Sequence, residues 1–110
     1  MLELPIKREW FNMIKSGDKK VEYREIKDYW STRFTRESML DAFYRNGTVE
    51  YKPTGQRVRV LFKNGYGCDC PRFIATVSLS IGTGEPKWGA VEGVQYYRLY
   101  IHSIEEVRGC

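Results

Sequence analysis

The chain has 110 residues and a mass of 13.0 kDa. That is enough for one domain and too short for a TIM barrel or a complete dinucleotide-binding enzyme. Apolar residues make up 42% and charged residues 29%, an ordinary globular balance that argues against disorder. The net charge is +4. Most of it lies early: residues 1–57 hold 12 basic against 9 acidic groups, and residues 58–110 hold 6 against 5. A mildly basic first half suits a nucleic-acid partner, and equally a solvated basic surface.

No apolar run approaches the roughly 20 residues that span a bilayer. Charges in MLELPIKREW come too early for a signal-peptide core, so a cytoplasmic protein without a membrane partner is expected. The cysteines are Cys68, Cys70 and Cys110, and the one histidine is His102. An odd count with a Cys-x-Cys spacing is no disulfide framework. A structural zinc site takes four ligands, usually as pairs set two or more residues apart. No metal site and no cofactor are expected.

Leu2 to Ile6 reads as a strand containing Pro5. Arg8 to Ser16 reads as a helix, with Trp10, Met13 and Ile14 on one stripe and Phe11 widening it. Gly17 fits the left-handed position just past the helix end. Lys20 to Ile26 reads as a strand by alternation. Val21 and Tyr23 are expected to pack inward, with Lys20, Glu22 and Arg24 on the opposite face. Lys27 to Phe34 reads as a short helical turn. A helix is expected over Glu37 to Arg45, capped by Thr35, with Met39, Leu40, Phe43 and Tyr44 on one side. Asn46-Gly47 is the turn that ends it.

The second half alternates as strands. Val58, Val60 and Phe62 form one run. Asn64-Gly65-Tyr66-Gly67 reads as a tight loop. Phe73 to Ile81 forms a long strand. Gly82 to Val94 is a glycine-rich loop carrying Trp88. Tyr97, Leu99 and Ile101 alternate in a last strand that runs toward Ile104, with Tyr96, Arg98, Tyr100 and His102 on its polar face. Short antiparallel strands in so small a domain close best as a barrel. With its helices early, the fold class is α+β: a small barrel with two to three helices at its side.

One stretch concentrates chemistry: Ser16-Gly17-Asp18-Lys19-Lys20-Val21-Glu22-Tyr23-Arg24. A helix ends, a lysine stands on the turn, and a strand carries an acid and a base two residues apart. Their Cβ atoms then lie on one side at roughly 7 Å. Such a group suits an anionic or hydrogen-bonding ligand, or it is a pair of solvated strand charges.

Gly17-x-Lys19-x-x-Glu22-x-Arg24, following a Trp/Phe-bearing helix, resembles the ASCH domain family, in its small stand-alone bacterial and phage form. The resemblance begins at Leu4-Pro5-Ile6-Lys7 and runs through Arg24-Glu25-Ile26-Lys27 and Tyr29-Trp30 to Thr35. It resumes at Val60-x-Phe62-x-Asn64-Gly65-Tyr66, at Ile81-Gly82-x-Gly84 with Trp88-Gly89, and in the strand Tyr97 to Ile104. It implies a single PUA-like barrel domain over residues 1–110. It also implies RNA, or a nucleotide or nucleoside, held in a cleft between helices and barrel. Gly17, Lys19, Lys20, Glu22, Arg24, Trp30, Arg33, Tyr66 and Trp88 are the expected contacts. Tyr29 is a further stacking candidate, and Lys7, Arg8, Lys27 and Arg36 are further phosphate candidates.

Some members of that family are hydrolases. In a branch acting on N4-acetylcytidine, the motif lysine corresponds to Lys19, while Glu22 stands where that branch has a threonine nucleophile. The branch's later glutamate has no aligned counterpart, although Glu85 and Glu92 are available. A hydrolysis of acylated cytidine or RNA here would use Glu22 as base to a water and Lys19 as oxyanion partner. A third reading is a protein-interaction module built on Tyr29 to Thr54. Trp10, Phe11, Phe43, Phe62 and Phe73 are read as packing. Nothing selects between monomer and homodimer.

Overall fold

The structure, a computed structural model, describes residues 1–65 and 70–106. The expectations placed on Tyr66, Gly67, Cys68 and Cys110 lie outside those residues. The element order is β1 (Leu2–Ile6), α1 (Arg8–Ser16), β2 (Val21–Glu25), α2 (Asp28–Arg36), β3 (Leu40–Arg45), β4 (Thr48–Pro53), β5 (Val58–Asn64), β6 (Arg72–Thr83) and β7 (Gln95–Glu106). A 3-10 turn at Pro86–Trp88 sits between β6 and β7. Among the described residues no helix is long and apolar enough to cross a membrane.

Five strands form one sheet in the order β1-β5-β6-β7-β2. It curls into a half-barrel. The sheet is mixed rather than antiparallel, because β1 pairs β5 in parallel, from Leu2 opposite Val60 to Ile6 opposite Asn64. The cause is the route of the chain. It leaves β1 through α1 to the far edge at β2, so β5 arrives beside β1 running the same way. A register shift at Thr76/Val77 bends the long β6–β7 pair.

The concave side is filled by Leu4, Val60, Phe62, Phe73, Ala75, Val77, Leu79, Tyr97 and Leu99. Helix α1 buries Phe11 and Ile14 against it, with Phe11 4.9 Å from Phe73 between ring centroids. Helix α2 sets Phe34 edge-on to Tyr97 at 5.3 Å. The Ser31 and Tyr97 hydroxyls, both buried, hydrogen-bond to each other.

The helix expected over Glu37 to Arg45 does not form: Glu37 to Met39 turn away from α2 and Leu40–Arg45 is a strand. β3 and β4 form a separate antiparallel hairpin, with Arg45 opposite Thr48 across a two-residue loop. Asn46 and Gly47 take φ of 51° and 77°, the left-handed pair that matches strand twist. Tyr51 and Val49 lie opposite Ala42 and Tyr44, so one face of the ribbon is apolar. Its far end is uncovered: Tyr44 is 80% exposed. Phe43 lies on the opposite face and is exposed, so it is not the packing residue expected. A Cβ at Gly47 would meet nothing within 4 Å, so Gly47→Ala tests backbone conformation alone. The left-handed penalty of about 1–2 kcal/mol falls on a ribbon with little packing behind it. Hydrogen exchange should quicken across β3 and β4 and stay unchanged in β6 and β7.

Candidate functional site

The Lys19 turn is built by the end of α1. Gly17, at φ 90°, donates its N–H to the Ile14 carbonyl at 3.1 Å, and the Lys19 N–H reaches the Met13 carbonyl at 2.9 Å. Only glycine enters that conformation without strain. The reversal turns the Lys19 side chain under the sheet, where the residue is 1% exposed.

Strand β2 supplies the partners. Its pairing places Glu22 opposite Leu99 and Arg24 opposite Tyr97, the buried face of β7. Tyr23 stands opposite Arg98 on the outer face. The expectation is reversed within β2: Glu22 and Arg24 point inward, while Val21 and Tyr23 point out; Lys20, just before the strand, is exposed. Alternation identifies which residues share a face, and here mutual neutralisation overrides polarity in choosing the inner one.

Lys19 Nζ donates to Glu22 Oε1 at 2.9 Å and to the Trp88 carbonyl at 2.8 Å. It also lies 4.2 Å from the centroid of the Trp10 ring, a cation–π distance. All three ammonium hydrogens therefore have partners. Burial pushes the Lys19 pKa below its ordinary value, and the Glu22 carboxylate opposes that shift. Glu22 Oε1 also accepts the Tyr23 N–H at 3.1 Å, and Oε2 accepts Arg24 Nη1 at 3.1 Å. Arg24 Nη1 reaches the Tyr23 carbonyl at 3.2 Å, and Nη2 reaches the Pro5 carbonyl at 3.0 Å. Arg24 thus bridges the two edge strands that the sheet leaves unpaired. Its Nε is buried and has no acceptor.

These groups line a cleft of about 280 Å³ between the β1–α1 junction, β2 and the 3-10 turn. Trp10, Tyr23 and Trp88 supply aromatic surface, and Lys7 lines it as well. Trp88 is fixed by its Nε1–H, which donates to the Asp18 carbonyl at 3.1 Å.

Of the expected contacts, Lys19, Glu22, Arg24 and Trp88 meet in this cleft. Trp30 does not line it, but its ring lies 5.1 Å from the Arg24 guanidinium carbon. Arg33 folds onto Tyr29, 3.4 Å from the ring centroid, and bonds the Tyr29 carbonyl. Gly17 and Lys20 line a different cavity, beside Ile101 and His102. Trp10, expected in the core, is instead part of the cleft, and so is Tyr23. Nothing in the spacing joins Trp10 to Lys19; the signal was a tryptophan on the first turn of a helix leading into the motif. Comparison with family models, with curated proteins and with solved structures finds no match to this chain.

Proposed function

We propose that the chain is an RNA-binding protein of the ASCH type, holding one nucleotide in the cleft between α1 and the curled sheet. One observation carries the reading: Arg24, whose buried Nε has no acceptor, lines a cleft with three aromatic side chains. Buried polar groups without partners are rare and call for an explanation. A phosphate oxygen or base-edge acceptor would supply one, and the rings would stack on the base. The cluster holds two cations, Lys19 and Arg24, against one anion, Glu22, so an anionic ligand is favoured. The volume, about 280 Å³, is at the small end of ligand pockets and suits one nucleotide rather than a duplex.

Binding is favoured over hydrolysis because the Lys19 ammonium is fully engaged and Glu22 is bonded by both cations. Neither is free to act on a water or an oxyanion without first leaving the other.

Fluorescence anisotropy of labelled single-stranded RNA and matched DNA, across a salt series, tests the proposal. RNA should bind more tightly than DNA, and binding should weaken with salt. Trp10→Ala should lower RNA affinity by about 5- to 150-fold, the range for one lost base stack. Circular dichroism confirms that the variant is folded. Equal affinity of folded Trp10→Ala and the parent chain would overturn the assignment.

A further inference from the structure

The glycines of Gly82-x-Gly84 do not themselves line the cleft just described. Neither takes a positive φ. In each case a side chain comes close instead. A Cβ on Gly82 would stand 2.5 Å from the Arg98 guanidinium carbon, and one on Gly84 would stand 2.7 Å from the Tyr23 ring. The segment is a bare backbone shelf against which the Arg98 guanidinium and the Tyr23 ring rest.

Those two side chains line a second cavity of about 300 Å³ on the outer face of β2, β6 and β7. Tyr23 and Trp88 line both cavities, so the two adjoin. Arg98 is held in place. Its Nε donates to Ser80 Oγ at 3.1 Å, Nη1 to the Thr83 carbonyl at 3.2 Å and Nη2 to the Ile81 carbonyl at 3.4 Å. Three of its five N–H groups are used, and all on neutral acceptors. Among the described residues no carboxylate pairs with it. A half-buried, pre-oriented guanidinium with two donors to give and no ion-pair partner among the described residues is built for an oxyanion. Glu85 and Tyr100 share the wall. A ligand there does best with an anionic group for Arg98, hydroxyl donors for Glu85 and a face for Tyr100.

We propose that this cavity is a second subsite, taking the phosphate and ribose of the nucleotide next to the one in the cleft. The assignment to a neighbouring nucleotide rests on the nucleotide reading of the cleft. The anion site at Arg98 does not.

Three probes separate the two: a diribonucleoside monophosphate, the free ribonucleoside and inorganic phosphate, each titrated while the Arg98 Nε–H and Trp10 resonances are followed by NMR. The dinucleotide should move both resonances and bind more tightly than the nucleoside. Arg98→Gln should weaken dinucleotide binding about ten-fold or more and leave nucleoside binding unchanged. Gly82→Ala, which keeps the charge but lifts the guanidinium off its shelf, should do the same. If both variants bind dinucleotide like the parent while Trp10 still responds, the subsite is overturned and the cleft stands. If only inorganic phosphate acts, moving Arg98 alone, the cleft reading fails and an anion site at Arg98 remains. If no probe moves Arg98, the subsite is overturned whatever happens at Trp10.

Discussion

Replacing Glu22 by alanine is expected to cost about 3–5 kcal/mol of stability, the usual result of breaking a buried ion pair by removing one member. Glu22 is 4% exposed and lies within 3.1 Å of both Lys19 Nζ and Arg24 Nη1. Its loss leaves a lysine that is 1% exposed with its charge uncompensated. It also frees the guanidinium that ties β2 to the Pro5 carbonyl of β1. Urea denaturation of the parent and the variant measures the difference. The double variant Lys19→Met, Glu22→Leu removes the pair together and should recover much of the loss, because desolvation of both charges is relieved.

The pH dependence has a fixed sign. Burial holds the Lys19 pKa below its ordinary value, with Glu22 opposing. The unfolded chain therefore binds more protons between the lowered pKa and the ordinary one, and stability rises with pH through that window. Without Glu22 the window widens downward. The deficit of Glu22→Ala should shrink as pH climbs toward the ordinary lysine range. A deficit below about 1 kcal/mol, typical of a solvated pair, would show that the cluster is not buried in solution.

The parts of this fold that were legible in the sequence are those fixed by local chemistry. β1 and α1 have the bounds expected, because Gly17 can end a helix cheaply and the Phe11/Ile14 stripe has one face to bury. β7 buries Tyr97, Leu99 and Ile101 as its alternation demands. Non-local choices were not legible. Met39, Leu40, Phe43 and Tyr44 fit a helical stripe, yet Asn46-Gly47 fits a hairpin loop better than a helix stop. The motif predicted that Lys19, Glu22 and Arg24 meet, but polarity placed them on the wrong side of the sheet. Whether a charged face turns inward depends on Trp88, Trp10 and Pro5, and these come from other elements, Trp88 from 69 residues beyond Lys19.

That remoteness is clearest at Gly84, the second of the large expected effects. A Cβ there would lie 2.5 Å from the Ala90 Cβ and 2.7 Å from two atoms of the Tyr23 ring. Neither neighbour can yield freely. Ala90 is buried. Tyr23 packs against Tyr96 with ring centroids 5.6 Å apart, and its hydroxyl accepts the Glu85 N–H at 3.0 Å. Gly84→Ala should therefore cost about 1–3 kcal/mol, as overpacking does, with the strain relieved by pushing Tyr23 aside. Tyr23 stands between the two cavities and lines both. Its displacement should weaken nucleoside binding in the cleft and anion binding at Arg98 together. The Lys19–Glu22 pair, which bonds the Tyr23 backbone rather than its ring, should stay intact. Thermal denaturation reads the first effect, and NMR titration with nucleoside and inorganic phosphate reads the second. Loss at one cavity alone would mean that Tyr23 is not the shared wall. Loss at both, with Lys19 still inaccessible to amine-reactive reagents, would tie the two cavities to one ring resting on one glycine.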